Sequence, residues 1–212
     1  MVVVDSFSTD ETEAICRQFP QVEFVQRKFT SFADQCNFGL TLVRTSWVLS
    51  LDADYVLTDE LVAELRALKP EDACAGFSAR FTYCIGGRPL RSTLYPPRVV
   101  LYRAAGARYR NEGHGHRVEI TGATRALRGR ILHDDRKSLD RWFGEQLKYS
   151  AQEARHLNET PRQALNRADR LRQRMVVAPF AVLFYLLFWR GLLLDGRAGW
   201  AYVFQRMLAE LL

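Results

Sequence analysis

The 212-residue sequence predicts an α/β chain, in which a mostly parallel sheet carries helices on both faces and a helical, partly apolar C-terminal extension follows. Three observations predict it. Short apolar runs alternate with amphipathic segments through the first 70 residues, the pattern of a parallel sheet covered by helices. Two of those runs end on aspartates, Asp5 and the pair Asp52 and Asp54, and ligands of such sheets sit outside the carboxyl ends of the strands. Beyond residue 136 the pattern turns helical and reaches a charge-free stretch, 175–189. The expected division is therefore 1–136 for the sheet-bearing part and 137–212 for the helical part.

Each element has its own signal. Residues 2–4 are apolar and end at Asp5, as in a strand buried on both faces. In SFSTDETEAICRQF, Ser8 and Glu11 stand as in a capping box, and Ala14, Ile15 and Phe19 keep the helical period. QVEFVQ (21–26) alternates as a second strand. SFADQCNFGLTLVRT places Phe32, Cys36, Leu40 and Val43 at helical spacing. WVLSL (47–51) is a third strand, and TDELVAELRAL from Thr58 is a capped helix. After Pro70, AGFSARFTYCIGG alternates into Gly86-Gly87, a hairpin signal. RVVLYR (98–103) and ATRALRGRIL (123–132) are further strands. Residues 137–158 form a long helical pattern with Trp142, Gln146, Tyr149 and Ala154 along it.

Composition narrows the class. A hydrophobic fraction of 48% and an aromatic fraction of 12% suit a packed core and exclude a disordered chain. The net charge of +6 hides an asymmetry: residues 1–80 carry 7 Lys and Arg against 13 Asp and Glu, and the rest carry 23 against 11. A basic second part suits an anionic membrane surface or an anionic substrate. The arginines adjoin apolar bulk instead of alternating with exposed aromatics, which argues against nucleic acid. Four cysteines without CxxC spacing suit structural thiols in a reducing, cytoplasmic setting. Met1 is followed by VVVD and a polar stretch, without the basic region or cleavage site of a signal peptide.

The chemistry concentrates on the D-x-D. In extended backbone, residues two apart face the same side, so Asp52 and Asp54 can both address one hard cation. Mg²⁺ and Mn²⁺ prefer oxygen ligands and are commonly shared between a few carboxylates and substrate phosphates. The bland alternative is two turn-forming aspartates closing a strand. The same residues, DADYV, also fit the D-x-D-x-[TV] pattern of haloacid-dehalogenase-like phosphatases, in which Asp52 would be the nucleophile; the later acidic block of that class is not found. A non-catalytic binding or scaffold module is a further alternative.

The blocks VVVDSFSTDET, FADQCNFGL and WVLSLDADYVLTDEL, in that order, resemble the family-2 glycosyltransferases. YPPRVVLYR, NEGHGHRVEITG, ILHDDRK and LKYSAQEA continue the likeness more loosely, toward bacterial members that build lipopolysaccharide or other envelope polysaccharides. The resemblance implies a GT-A, Rossmann-like fold and an inverting enzyme that uses a nucleotide-diphosphate sugar. It implies that Asp5 contacts the nucleoside, that Asp52 and Asp54 hold a metal-diphosphate, and that Asn37 lies near the donor. Ser6 and Asp10 share the Asp5 loop and read as turn and cap residues. Members of the family open with a further strand-and-helix unit, which needs roughly 30 residues; this chain begins at the second strand.

An inverting transfer needs a base to take the acceptor hydroxyl's proton as the anomeric carbon is attacked. RNEGHGHRVEI supplies Glu112 as the first candidate, with His116 and Asp134 behind it. His133, just after an apolar strand, is placed to complete the Asp54 metal site or to serve as a hydrogen-bonded structural histidine. The H-x-H of His114 and His116 is a weak zinc signal. Arg136 and Lys137 suit neutralisation of a leaving diphosphate, or simply a basic surface.

The run 175–189 holds Pro179 and ends at Arg190, shorter than the ~20 residues of a spanning helix. Arg167, Arg170, Arg172 and Arg174 lie just upstream and suit anionic headgroups. The expectation is a helix or helix pair lying on the cytoplasmic face of a membrane; a buried helix, a subunit interface or a true span are the alternatives. The expected partners are thus a nucleotide-diphosphate sugar, a glycan or lipid-linked acceptor and an anionic membrane, with no nucleic acid.

Overall fold

The structure, a computed structural model, describes residues 1–69, 73–112, 115–134, 136–174 and 176–212. The chain forms two compact units. The first holds residues 1–50, 70–78 and 99–126, and the second holds 51–69, 79–98 and 127–212. Two long strands, β5 (Cys74–Ile85) and β10 (Ala123–His133), contribute residues to both.

In the first unit, β1 (Val2–Asp5) and β2 (Glu23–Gln26) pair in parallel across α1 (Thr12–Arg17), with Val3 opposite Phe24 and Asp5 opposite Gln26. α2 (Phe32–Leu42) starts where the Ser31 hydroxyl accepts from the Asp34 N–H, which satisfies one of the orphan donors of a first turn. β3 (Trp47–Leu49) pairs antiparallel with β7 (Arg98–Arg103). β8 (Arg108–Glu112) pairs antiparallel with β9 (Gly115–Glu119). Ala33, Tyr102, Tyr109 and Val118 are buried together, with Cys36, Leu40 and Val48 packed against them. The buried tyrosine hydroxyls satisfy each other: Tyr102 and Tyr109 meet at 2.8 Å, and Tyr109 donates to Ser50 at 2.8 Å.

In the second unit, β4 (Tyr55–Leu57) pairs antiparallel with β10, placing His133 opposite Tyr55 and Ile131 opposite Leu57. α3 (Asp59–Ala67) begins at Thr58, whose hydroxyl accepts from the Leu61 N–H. The Glu64 carboxylate of α3 accepts from the N–H groups of Arg128 and Gly129 at 2.9–3.0 Å. The helix comes so close that a Cβ at Gly129 would stand 2.5 Å from the Leu61 Cα. The Gly86-Gly87 turn, both at positive φ, returns β5 into β6 (Arg88–Pro89). Four helices follow: α4 (Leu139–Glu159), α5 (Arg167–Arg172), α6 (Val177–Phe184), continued by a π-helical turn 185–189, and α7 (Gly196–Leu211). Leu90, Leu186, Leu187, Leu192, Tyr202 and Val203 form the core there, with Tyr83 and Ile85 against it.

The architecture is mixed α/β, as the alternation predicts, but two local expectations need correction. Parallel pairing is found at β1–β2, whereas β3–β7, β4–β10, β5–β6 and β8–β9 run antiparallel; the Gly86-Gly87 turn joins β5 to β6 as the hairpin the sequence predicts. The expected Ser8 capping box does not form either. The N-cap of α1 is Glu11, without a side-chain cap bond. Ser8 is drawn instead to Asp5, a charged and therefore stronger acceptor.

Candidate active site

The second unit assembles the metal-site candidates. β4 is short and its register with β10 is set by Ile131, which is fully buried. That register puts His133 beside the residue preceding Tyr55, and its Nε2 stands 3.1 Å from Asp54 Oδ2. Three tyrosine rings surround the imidazole edge-on: Tyr55 at 5.2 Å, and Tyr83 and Tyr95 each at 5.0 Å. The Tyr55 and Tyr95 hydroxyls meet at 2.6 Å. Burial pushes the Tyr55 hydroxyl far above its ordinary pKa, with the negative charge of Asp52 adding to it, so it remains a proton donor. Burial also pushes the Asp54 carboxyl up, but the hydrogen bond and charge of His133 outweigh it and hold its pKa below the usual aspartate value. Asp54 is therefore an anion at neutral pH. Asp52 is exposed at the mouth of this set.

Two atoms of the pair lack partners. Asp54 Oδ1 and His133 Nδ1 are buried without a hydrogen bond among the described residues, and buried polar atoms are normally satisfied. No group of three His, Cys, Asp or Glu side chains gathers as a ready metal site among the described residues. The pair nonetheless fits a shared cation. The 3.1 Å between Asp54 Oδ2 and His133 Nε2 is a hydrogen bond, which a shared ion would replace, since two ligands of an octahedral Mg²⁺ stand roughly 3 Å apart; Asp54 Oδ1 is the oxygen left without a partner among the described residues. A cation that keeps several waters and takes substrate phosphates needs few protein ligands.

Asp134, next along from His133, is largely committed. Oδ1 accepts from the Gly87 N–H at 3.2 Å and Oδ2 from Arg136 at 2.7 Å. Burial raises its pKa, but these bonds lower it further than burial raises it, leaving it below the usual value and making it a weak base. Lys137 pairs with Glu145 at 3.0 Å. Both basic candidates for a leaving diphosphate thus already face carboxylates.

The remaining candidates lie in the first unit. Asp5 ends β1 and is 7% exposed. Its carboxylate accepts from the Ser8 N–H at 2.9 Å, the Ser8 hydroxyl at 2.5 Å and the Gln26 amide at 3.3 Å. Phe7, inside that loop, has φ of 63° and is 56% exposed; positive φ in a bulky residue persists only where its surroundings enforce it. Asn37 spends its amide on one backbone: Oδ1 accepts from the Tyr109 N–H at 2.8 Å and Nδ2 donates to the Tyr109 carbonyl at 3.0 Å. It nevertheless lines an open polar cleft of about 360 Å³ with Ser31, Arg108 and Asn111. Glu112 is exposed at the end of β8, 3.3 Å from Arg117. The His116 ring stacks on Phe32 at 5.5 Å and leans on Tyr109 at 5.4 Å. His114 and Met175 lie outside the described residues.

Sequence reasoning missed Tyr83 and Tyr95. Their signal was present only as aromatic residues in alternating or Pro-flanked segments; Tyr83 reaches His133 from β5, the other neighbour of β10, and Tyr95 from the segment that follows β6.

The described residues thus form a mixed α/β chain in which one carboxylate of the D-x-D meets a histidine ringed by tyrosines. Comparison with known proteins makes the class specific: residues 1–135 match the model of glycosyl transferase family 2, and the chain belongs to that family. An uncharacterized glycosyltransferase of Rickettsia felis is 35% identical over 65 residues, spanning 31% of this chain and 23% of that protein. Among solved structures, S. aureus TarS 1-349 in complex with UDP-GlcNAc and in complex with UDP align at 15% and 14% identity. They cover 99% of this chain and 80% of theirs, with TM-scores of 0.47 and 0.46.

Proposed function

We propose that the chain is the catalytic part of an inverting glycosyltransferase that moves a sugar from a nucleotide-diphosphate donor to a membrane-associated glycolipid or polysaccharide acceptor. Family membership supports the transferase class. The single observation that carries the site is the Asp54–His133 pair, with a buried oxygen and a buried nitrogen left unpartnered among the described residues. Asp54 and His133, with Asp52 beside them, would hold Mg²⁺ or Mn²⁺. The bound ion would neutralise charge developing on the leaving diphosphate.

The chain's own residues do the rest. The tyrosine cage fixes the His133 ring, and His133 orients Asp54. The acceptor hydroxyl loses its proton as its oxygen attacks the anomeric carbon from the face opposite the leaving diphosphate. Glu112 is the candidate base, because among the described residues its carboxylate meets Arg117 alone, whereas both oxygens of Asp134 are occupied. His116 remains the second candidate in the first unit.

The C-terminal segment supports a membrane site on the cytoplasmic face. Val176, Phe180, Phe184 and Phe188 recur every fourth residue and are 71%, 56%, 56% and 63% exposed, with Trp189 at 83%. Large exposed apolar patches mark interaction surfaces. No single helix among the described residues is long and apolar enough to cross a membrane; the bent pair 177–189 and 192–211, at 75°, passes by length and composition. Arg167, Arg170 and Arg174 are exposed. Arg172 is not available to headgroups as the sequence suggested, because it binds Glu210 at 3.0 Å and Glu153 at 2.9 Å.

The test is an equilibrium titration of nucleotide diphosphates with and without Mn²⁺, followed by transfer assays on membrane extracts. Metal-dependent nucleotide binding supports the reading, and its absence at millimolar ligand removes it. Vesicle sedimentation tests the membrane site separately. Three exposed arginines at about 1 kcal/mol each predict that the R167Q/R170Q/R174Q chain leaves anionic vesicles that retain the wild type; wild type remaining in the supernatant would sink that part.

A further inference from the structure

The second unit contains a cavity of about 270 Å³ that the transferase reading does not yet use, lined by Arg80, Arg91, Arg130 and Arg190 and by no carboxylate. Such a concentration of guanidinium groups suits an anion among them. Two of the four have identifiable structural work. Arg91 pairs with Asp195 at 2.9 Å. Arg190 donates to the Ser92 hydroxyl and, at 2.8 Å, to the Thr93 carbonyl. Arg80 on β5 and Arg130 on the neighbouring strand β10 are exposed, and neither side chain has a hydrogen bond or ion pair among the described residues. Two unpaired arginines therefore face a space whose other polar groups are already organised.

The cavity is connected to the chemistry. Tyr95 lines it, and the same Tyr95 meets the Tyr55 hydroxyl and packs edge-on against His133, which holds Asp54. Phe81 and Tyr95 pack against each other at 4.9 Å and supply an apolar wall beside the arginines. On the other side, Arg190 follows directly on Trp189, the most exposed residue of the apolar stretch. A group in the cavity thus touches both a tyrosine of the candidate active site and the end of the segment that carries exposed aromatics.

We propose that this cavity is the acceptor subsite and that it takes a phosphate ester: the acceptor carries a phosphate or diphosphate that Arg80 and Arg130 bind, with its sugar or alkyl group against Phe81 and Tyr95. Guanidinium forks match phosphate oxygens in bidentate fashion, and a fixed anionic anchor would hold the accepting hydroxyl at a set distance from the donor. This assignment rests on the transferase reading for the word acceptor; the phosphate site itself does not.

The experiment measures binding to the full chain by calorimetry in buffer free of divalent cations, so that the metal-dependent donor site is silent. The probes are inorganic pyrophosphate, inorganic phosphate, dodecyl phosphate below its micellar concentration, and dodecyl glucoside as the uncharged control. The wild type is expected to bind pyrophosphate, and the R80Q/R130Q chain to bind it at least about tenfold more weakly. Both residues are exposed on strands, and circular dichroism and thermal melting verify the fold of the variant. Dodecyl phosphate binding much tighter than inorganic phosphate, and lost in the variant while dodecyl glucoside binding persists, assigns a lipid-borne phosphate; equal affinities assign the phosphate of a soluble polymer. Pyrophosphate bound equally by wild type and variant overturns the site. If the variant loses Mn²⁺-dependent nucleotide-diphosphate binding by the same factor, the arginines serve the donor and the acceptor assignment falls. A wild type that binds pyrophosphate but no nucleotide with Mn²⁺ keeps the phosphate site while removing the transferase reading.

Discussion

Asp5 and Asp54 stand in similar places and do different work. Each lies at the end of a strand or immediately before one, each is an anion at neutral pH, and each is depressed below the ordinary aspartate value against the opposing push of burial. Asp5 spends its carboxylate internally, on the Ser8 N–H, the Ser8 hydroxyl and Gln26. Asp54 meets His133 through one oxygen and leaves the other buried without a partner among the described residues. A carboxylate that already has its donors shapes a loop, whereas one with an orphaned oxygen is prepared for something that arrives later. Under the proposed function the ligand falls to Asp54, and the hydrogen bonds of Asp5 hold its loop.

The largest effect should come from breaking that assignment at Asp54. Asp54→Ala is expected to abolish transfer and Mn²⁺-dependent nucleotide binding while circular dichroism and the melting curve stay close to wild type. Near-normal turnover would transfer the metal role elsewhere. Next in size is Glu112→Gln, expected to lower turnover by roughly 10²-fold, the usual scale for a lost general base, with nucleotide affinity unchanged. Normal transfer by that variant, together with loss in Asp134→Asn, would move the base to Asp134. His133→Gln follows, at roughly 10–100-fold in metal affinity or activity, the range for a residue that orients or supplements a metal ligand. A structural histidine would instead lower the melting temperature and spare the affinity for Mn²⁺.

Asp5 should respond in the opposite currency. Asp5→Ala removes a buried acceptor of three hydrogen bonds and leaves the Ser8 N–H to find water. The expected cost is about 1–3 kcal/mol of stability, read from urea unfolding, with Mn²⁺ affinity retained. A loss of nucleotide affinity without loss of stability would show that the carboxylate is shared with the nucleoside, as the family resemblance implies.

How much of this was legible beforehand follows from the range of the interactions. The strands at 2–5, 23–26, 47–49, 98–103 and 123–133, the cap at Thr58 and the Gly86-Gly87 turn are local, and their residues announce them. The Asp54–His133 contact was legible in outline, because a carboxylate after an apolar run is costly to bury without a partner and the sequence offered His133 beside it. The cage around His133 was not, since Tyr55 and Tyr83 come from strands on either side of β10 and Tyr95 from a non-strand segment. Nor was the internal use of Arg172, whose partners Glu153 and Glu210 lie on other helices. Ser8 misled because its sequence neighbour Glu11 imitates a capping box while the nearer charge, Asp5, takes its hydroxyl.

The smallest effect, and the most direct reading of the comparison, is the dependence of stability on acid. A carboxyl whose folded pKa is depressed contributes stability that is present above its unfolded value, near 3.9, and is lost as pH falls through the folded value. Asp5 and Asp54 both belong to this class, so wild-type stability should fall below about pH 4 in steps that each variant removes separately. Asp5 accepts from three donors and is almost fully buried, whereas the Asp54 side chain is 38% exposed and has one partner among the described residues. Asp5→Asn should therefore flatten the acid limb by on the order of 1 kcal/mol, and Asp54→Asn by less. Urea midpoints measured from pH 3 to 6 without divalent cations decide it. Adding Mn²⁺ and a nucleotide diphosphate should then steepen the limb in the wild type and in Asp5→Asn but not in Asp54→Asn, because only Asp54 must be ionised to hold the ion. An acid limb governed by Asp54 in the metal-free protein would reverse the roles assigned to the two carboxylates.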